Sequence, residues 1–255
     1  MLDKGFGKKG FVSGKKFGEV HTLIQQSNSK ILAAGGFTDL NASIIRFLND
    51  RTLDSSFGNN GGALSNVGFG ASEMLLTADG KILISDIYRD THDTIQSYVA
   101  RFTSDGKPDS SFGTNGTSVI PLYNSSVSYN QIALTPDGDI IVGGLGVNNN
   151  FTQYSIVSKL SANGVFDNSF GDNGYTFNSA FYNLKDLAVQ PDGKIVAVGQ
   201  TFGYNFVFSR YNSDGSLDNS FGKDGNEIFT IGGIGSSEKI IIQPNGNLMV
   251  GGISK

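Results

Sequence analysis

The sequence predicts an all-β chain, a β-propeller of about five blades built from short antiparallel strands. Three observations predict it. First, one nine-residue stretch recurs five times, as Leu2–Gly10, Leu53–Gly61, Pro108–Gly116, Phe166–Gly174 and Leu217–Gly225. Its phenylalanines fall at 6, 57, 112, 170 and 221, so the steps are 51, 55, 58 and 51 residues, and self-similarity at such a period marks a repeat architecture. Second, a turn pair recurs about 20 residues after each phenylalanine, as in Gln190-Pro-Asp-Gly-Lys-Ile195. Third, the strand after that turn, such as Lys194-Ile-Val-Ala-Val-Gly199, is apolar at nearly every position instead of alternating, the mark of a strand covered on both faces.

Each repeat reads as four strands, a to d. Strand a follows the phenylalanine motif, for example Thr117–Ile120 and Tyr175–Phe177. Strands b and c flank the Asp-Gly or Asn-Gly pair, which predicts a type I′ hairpin because both central residues of that turn take positive φ. Strand d carries a cation near its end: Arg46, Arg101, Lys159 and Arg210. No 3.6-residue apolar period is present, and a pair of β-sandwiches gives no reason to repeat one turn at near-constant spacing. The whole chain, 1–255, reads as one propeller domain with units of approximately 2–52, 53–107, 108–165, 166–216 and 217–255. The fifth unit has a, b and c. Either it is a three-stranded blade closing a five-bladed ring, or the chain comes from a longer array. The exposed edge that an array would leave on strand c favours the ring.

Composition narrows the function classes. Glycine, 35 of 255 residues, is in excess without a Gly-X-Y register, so the excess is expected in turns. The net charge of −4 with no charged block gives no basic face for nucleic acid and no reason for a membrane partner. Cysteine is absent, which removes disulfides and thiolate metal sites. No apolar run reaches the roughly 20 residues of a membrane helix. The stretch Met1–Gly10 has no apolar signal core. A soluble protein is expected.

Three motifs together, Leu217–Gly225, Gln190–Ile195 and Ser209-Arg-Tyr-Asn-Ser-Asp-Gly215, resemble the delta-60 repeat family, tandem units of bacterial proteins with a β-propeller fold. The likeness covers nearly the whole chain, though most periods here are shorter. It implies the propeller and points to export. It implies no activity, catalytic residue or cofactor.

Repetition separates scaffold from site. A catalytic acid is needed once, whereas a turn brace is needed in every unit. Asp3, Asp54, Asp109, Asp167 and Asp218 are therefore expected to hold their loops by hydrogen bonds, with Arg46, Arg101, Lys159 and Arg210 bonded to them. The motif phenylalanines are expected to fill the space between blades. Asn212-Ser-Asp-Gly-Ser-Leu-Asp218 faintly matches a calcium loop, but Leu217 and Lys223 stand where glycine and glutamate belong. Two lone histidines, His21 and His92, make no transition-metal set. No metal, cofactor or catalytic residue is expected.

The loops that differ between repeats share the opposite end of the strands from the repeated turns, and variable loops on a rigid scaffold are where recognition resides. The a–b loops bring Phe17, Phe69, Tyr123, Tyr129, Phe181 and Tyr182. The c–d loops, the longest spanning 86–97, bring Tyr88, Arg89, His92, Phe151, Tyr154, Phe202 and Tyr204. These seven are the candidate binding residues, and aromatics beside Asn and Ser suit protein or carbohydrate. The expected function is a non-enzymatic binding or scaffold module. One alternative is a hydrolase or lyase using the Arg89-Asp90-His92-Asp93 cluster, and another is a structural spacer in a longer array.

Overall fold

The structure, a computed structural model, describes residues 18–37, 42–67, 70–92, 95–121, 127–147, 152–230 and 235–254. The first phenylalanine motif, Asp3, Phe17, Phe69, Tyr123 and Phe151 lie outside them. All 18 regular elements among the described residues are strands. The chain forms two compact units: Met1–Tyr88 with Tyr98–Val119, and Arg89–Ser97 with Ile120–Lys255.

Four sheets have four strands each. The first is β1 (Glu19–Gln25), β2 (Ile31–Phe37), β3 (Ala42–Phe47) and β4 (Gly62–Ala63). The second is β5 (Glu73–Leu76), β6 (Ile82–Arg89), β7 (Ile95–Phe102) and β8 (Thr117–Ile120). The third is β9 (Val127–Leu134), β10 (Ile140–Val147), β11 (Gln153–Leu160) and β12 (Tyr175–Asn178). The fourth is β13 (Asn183–Val189), β14 (Ile195–Gln200), β15 (Phe206–Tyr211) and β16 (Asn226–Phe229). A fifth sheet holds β17 (Gly235–Ile242) and β18 (Leu248–Ser254). Each sheet pairs its strands in chain order.

The sheets are offset by one strand from the sequence repeats. Strand a does not pair inside its own repeat; it folds back on the preceding d, as in Ile44↔Ala63, Ser155↔Asn178 and Phe206↔Phe229. A sheet is therefore b, c and d of one repeat plus a of the next. The phenylalanine motif is the d–a connection within a sheet, so its side chains are placed to brace it.

The apolar c strands β2, β6, β10 and β14 are covered on both faces, which is why they do not alternate, whereas β18 has no buried position. In the first unit Leu32, Ala34 and Ile44 join one core with Met74, Ile82, Ile84 and Tyr98, while Ala33, Ile45 and Phe47 form another. In the second unit Ile141 and Val157 pack with Leu187, Ile195, Ala197 and Val207, and the other face of β14 places Val196 and Val198 against Ile240. Each fully buried aliphatic side chain stabilises by roughly 1.5–3 kcal/mol.

Two sequence expectations change. The b–c turns are not type I′. Only the last residue of each is left-handed: Ser29, Gly80, Gly138, Gly193 and Gly246 have φ of 66–88°, while the residues before them do not have positive φ. Gly80 N–H donates to Thr77 O and Thr77 N–H to Lys81 O, and the same pair of bonds recurs at 190–194 and 243–247. This is a type I turn followed by a left-handed residue. Pro136, Pro191 and Pro244 fit the first inner position, since proline holds φ negative there.

The glycine excess is not confined to turns. Gly35, Gly144, Gly199 and Gly252 sit inside c strands opposite an irregularity in b, at Val20/Thr22, across from Gly143/Gly144, at Leu184/Asp186 and at Ser237/Lys239. There the bulged strand presses a carbonyl inward. A Cβ on Gly144 would lie 1.9 Å from Ser128 O, and one on Gly199 2.1 Å from Asn183 O. The second repeat has Asp86 at that position, and its β5–β6 ladder ends one residue before it, at Glu73↔Ser85. In these four repeats glycine and bulge come together.

Candidate functional site

The repeated polar residues form a brace at one end of each four-stranded sheet. Asp54 Oδ2 accepts from Lys30 Nζ at 2.8 Å and from Arg46 Nε at 2.9 Å. Asp109 does so with Lys81 at 3.2 Å and Arg101 at 2.8 Å, and Asp218 with Lys194 at 2.8 Å and Arg210 at 2.7 Å. The second carboxylate oxygen accepts the backbone N–H and hydroxyl of Ser56, Ser111, Ser169 or Ser220, two residues on. Burial raises the carboxyl pKa of Asp54 and Asp109, but these donors and the nearby guanidinium outweigh it and hold both well below the ordinary range. Asp218 is also held low, chiefly by Lys194 and Ser220. The guanidinium also lies over the motif ring, at 4.5 Å for Arg46–Phe57 and 4.7 Å for Arg101–Phe112 and Arg210–Phe221. Phe57, Phe112 and Phe170 are at most 1% exposed. Phe221 is only half-buried.

The third sheet inverts this charge pattern. Asp139 stands where Lys30, Lys81 and Lys194 follow the turn in the other four-stranded sheets, and Lys159 stands for the arginine. Lys159 Nζ bridges Asp139 at 3.4 Å and Asp167 at 3.3 Å. One cation between two carboxylates replaces one carboxylate between two cations. Burial works against the Lys159 charge, but the two carboxylates outweigh it and raise its pKa. A cleft of ≈ 320 Å³ opens beside it, lined by Pro136, Asp137, Asp139, Lys159, Pro191 and Asp192.

The other end of the strands carries the predicted binding residues. Strand β6 runs to Arg89 and β7 begins at Ile95, so the expected 86–97 loop shrinks to a short connection. Tyr88 and Arg89 are strand residues, and Tyr88 packs edge-on to Tyr98 at 5.9 Å. His92 is exposed, and its backbone N–H donates to Asp90 Oδ1, while Gln96 Nε2 donates to Asp90 Oδ2. Asp90 of the hydrolase alternative's cluster is thus engaged in holding the turn, and Asp93 lies outside the described residues. Tyr154 lies in β11, edge-on to Phe177 at 5.5 Å. Tyr129 and Phe181, expected on a–b loops, are core residues at 1% exposure: β9 starts earlier than its sequence suggests and takes in Tyr129, while Phe181 is buried just ahead of β13.

One c–d turn exposes its aromatic residues. In 201–205, Thr201 N–H donates to Asn205 O, Tyr204 N–H to Thr201 O, and Asn205 N–H to Thr201 Oγ1. Gly235 N–H donates to Tyr204 O at 2.7 Å and Gln200 Nε2 to Gly235 O at 2.9 Å, which ties the turn to the start of β17. On this base Phe202 is 81% and Tyr204 48% exposed. Tyr182, from the neighbouring a–b turn, stands edge-on to Phe202 at 5.6 Å. It was not among the seven candidates, although its position beside Phe181 in a variable loop was a usable signal. Tyr204 has φ of 60°. Left-handed backbone is unfavourable for an aromatic L-residue by roughly 1–2 kcal/mol.

Among the described residues no group of three or more His, Cys, Asp or Glu is placed to hold a metal ion, and no helix is long and apolar enough to cross a membrane. Four stretches, 26–57, 77–112, 135–170 and 190–221, match the family described as "Domain of unknown function (DUF5122) beta-propeller". No curated protein matches the chain. Solved structures with a similar fold include a calcium-binding protein, regucalcin, from Agrobacterium tumefaciens strain C58, at 13% identity and TM-score 0.47 over 89% of this chain and 66% of that one. A glucose dehydrogenase shares 13% identity at TM-score 0.47 over 75% of this chain and 62% of its own. Another glucose dehydrogenase shares 12% at TM-score 0.43 over 88% and 89%. The chain spans just under two thirds of the first two.

Proposed function

This chain belongs to the DUF5122 β-propeller family, and we propose that it works as a non-enzymatic binding module whose contact surface is the aromatic turn Tyr182, Phe202 and Tyr204. The observation that carries this reading is Tyr204 itself. A tyrosine is held in a backbone conformation that suits glycine, on a turn braced to the next sheet, with its ring half in water. The turn takes a left-handed residue at 204 as the b–c turns do at their glycines, and a tyrosine in place of glycine there is strain that points to function. No charged residue lies between Thr201 and Asn205. A neutral platform of aromatic rings suits the apolar face of a sugar or a flat protein surface.

The finer points belong to the same proposal. The five sheets correspond to five blades, the repeats are of delta-60 type, and the protein is a bacterial exported one. The sequence resemblance supports these points. The test is a glycan array and a panel of purified surface proteins, read for the unaltered chain and for Phe202→Ala with Tyr204→Ala. Anchor residues of this kind contribute roughly 2 kcal/mol or more, about 30-fold in affinity. A ligand bound equally well by both chains would remove the aromatic turn from the account.

A further inference from the structure

The cleft beside Lys159 stands where the first repeat keeps a guanidinium. Arg46 makes two kinds of bond there. Its Nε donates to Asp54 Oδ2 at 2.9 Å, and its Nη1 donates at 2.7 Å to Ser104 O, in the turn after the next repeat's d strand. A planar fork of donors can serve its own aspartate and that turn together. In the third repeat Lys159 takes the place of Arg46, and Ser213 corresponds to Ser104. Lysine ends in one ammonium, and Asp139 and Asp167 hold it at 3.4 and 3.3 Å. Among the described residues no group donates to Ser213 O. Lys159 and Ser213 both line the ≈ 320 Å³ cleft, a size at the lower end of small-ligand sites.

The lining is acidic in excess, with Asp137, Asp139 and Asp192 against the one cation Lys159. Asp139 is spent on the fold, since its Oδ1 accepts Ala162 N–H at 3.0 Å and its Oδ2 faces Lys159. The other two are not. The Asp137 carboxylate makes no hydrogen bond or ion pair among the described residues. Asp192 Oδ1 accepts only the N–H of Lys194, within its own turn. Both carboxylates are exposed, and they stand on the b–c turns of the third and fourth sheets. Pro136 and Pro191 open these turns and stiffen them, so the walls are set before anything binds. An anion would be repelled here. A metal ion lacks its ligand set, since among the described residues no three His, Cys, Asp or Glu are placed to hold one.

We propose that this cleft binds a guanidinium group supplied from outside the chain. The group donates to Ser213 O, as Arg46 does to Ser104 O, and pairs with the carboxylates of Asp137 and Asp192, while its stem lies along the two prolines. Charge-assisted bonds in a fixed fork favour guanidinium over ammonium. The group belongs either to an arginine side chain of a peptide or to a free small molecule. The site is at the brace end of the strands, away from the aromatic turn, and does not depend on that surface.

The full chain, labelled with carbon-13 at its aspartate carboxyls, is titrated near neutral pH with agmatine and separately with acetyl-Gly-Arg-Gly-amide. The Asp137 and Asp192 signals should move together and saturate, with a Kd of about 1–10 mM, while Asp54 and Asp109 stay in place. Tighter binding of the peptide assigns the group to a peptide arginine, and tighter binding of agmatine to a free small molecule. Putrescine and acetyl-Gly-Lys-Gly-amide, which carry ammonium instead, should bind at least ~10-fold more weakly. Lys159→Arg fills the cleft with the chain's own guanidinium and should abolish binding while the urea midpoint holds or rises. Asp192→Asn, a surface change, should weaken binding roughly 3-fold. No saturable shift at ~50 mM of either guanidinium probe overturns the proposal. So does equal binding of the ammonium probes, or undiminished binding to the Lys159→Arg chain.

Discussion

Phe170→Ala should destabilise the chain far more than Phe221→Ala, although the two residues occupy the same place in the same motif. Phe170 is 1% exposed and belongs to a core with Ala133, Ile141, Val157 and Tyr211. A phenylalanine side chain removes at least ~150 Å² from water, worth roughly 4 kcal/mol at about 25 cal/mol per Å². The Gly171–Asp214 bond and the rigid turn at Gly215 prevent the site from collapsing. The expected loss is therefore about 3–5 kcal/mol. Phe221 is half-buried, so its loss should be about 1–2 kcal/mol. Urea unfolding followed by circular dichroism measures both. Equal losses, or less than about 1 kcal/mol for Phe170→Ala, would refute the idea that the motif ring is a closure between neighbouring repeats.

The remaining expectations concern charge, strain and the bulge. Asp54, Asp109 and Asp218 hold protons more weakly when folded. Their contribution is thus complete above the unfolded carboxyl value of about 4 and is lost as pH falls below it. The urea midpoint should stay level between about pH 7 and 5 and drop below about pH 4, with a shallower drop for Asp109→Asn. Lys159→Met leaves Asp139 and Asp167 facing each other and should cost about 1–2 kcal/mol at neutral pH, less near pH 4 as protonation relieves the repulsion. Tyr204→Gly should raise stability by roughly 0.5–1 kcal/mol in the same melt by removing the left-handed strain, while weakening ligand binding. Gly199→Val should lower the melting midpoint sharply, since its Cβ would press on the Asn183 carbonyl.

The repeated half of this protein was legible because repetition carries its own explanation. The Arg–Asp pairs eight residues apart, the buried motif rings and the doubly covered c strands all follow from seeing one turn braced several times. The strand offset was less visible, since the period fixes the spacing of strands and not which neighbour each one pairs with. The bulges were hidden for a different reason: the glycine inside each c strand signals them, but in a glycine-rich chain it reads as a turn residue. The candidate site was the least legible. Loop length suggested 86–97, yet hydrogen-bonded pairing extends β6 to Arg89 and absorbs most of it. The short 201–205 turn exposes its aromatics because five residues leave the rings nowhere to fold back. The charge inversion was present in the sequence, where Asp139 replaces the usual lysine and Lys159 the usual arginine, and it becomes meaningful only once the two are seen to meet.

The central claim is that the recurring aspartates are clamps, each kept ionised by the groups around it. A carbon-13 carboxyl titration by nuclear magnetic resonance tests this at each residue separately. Asp54, Asp109 and Asp218 should all titrate well below the ordinary carboxylate value of about 3.9. Titration of any of the three at or above that value would mean that its lysine and arginine are not holding it, and the brace would fail as an account of why the motif recurs.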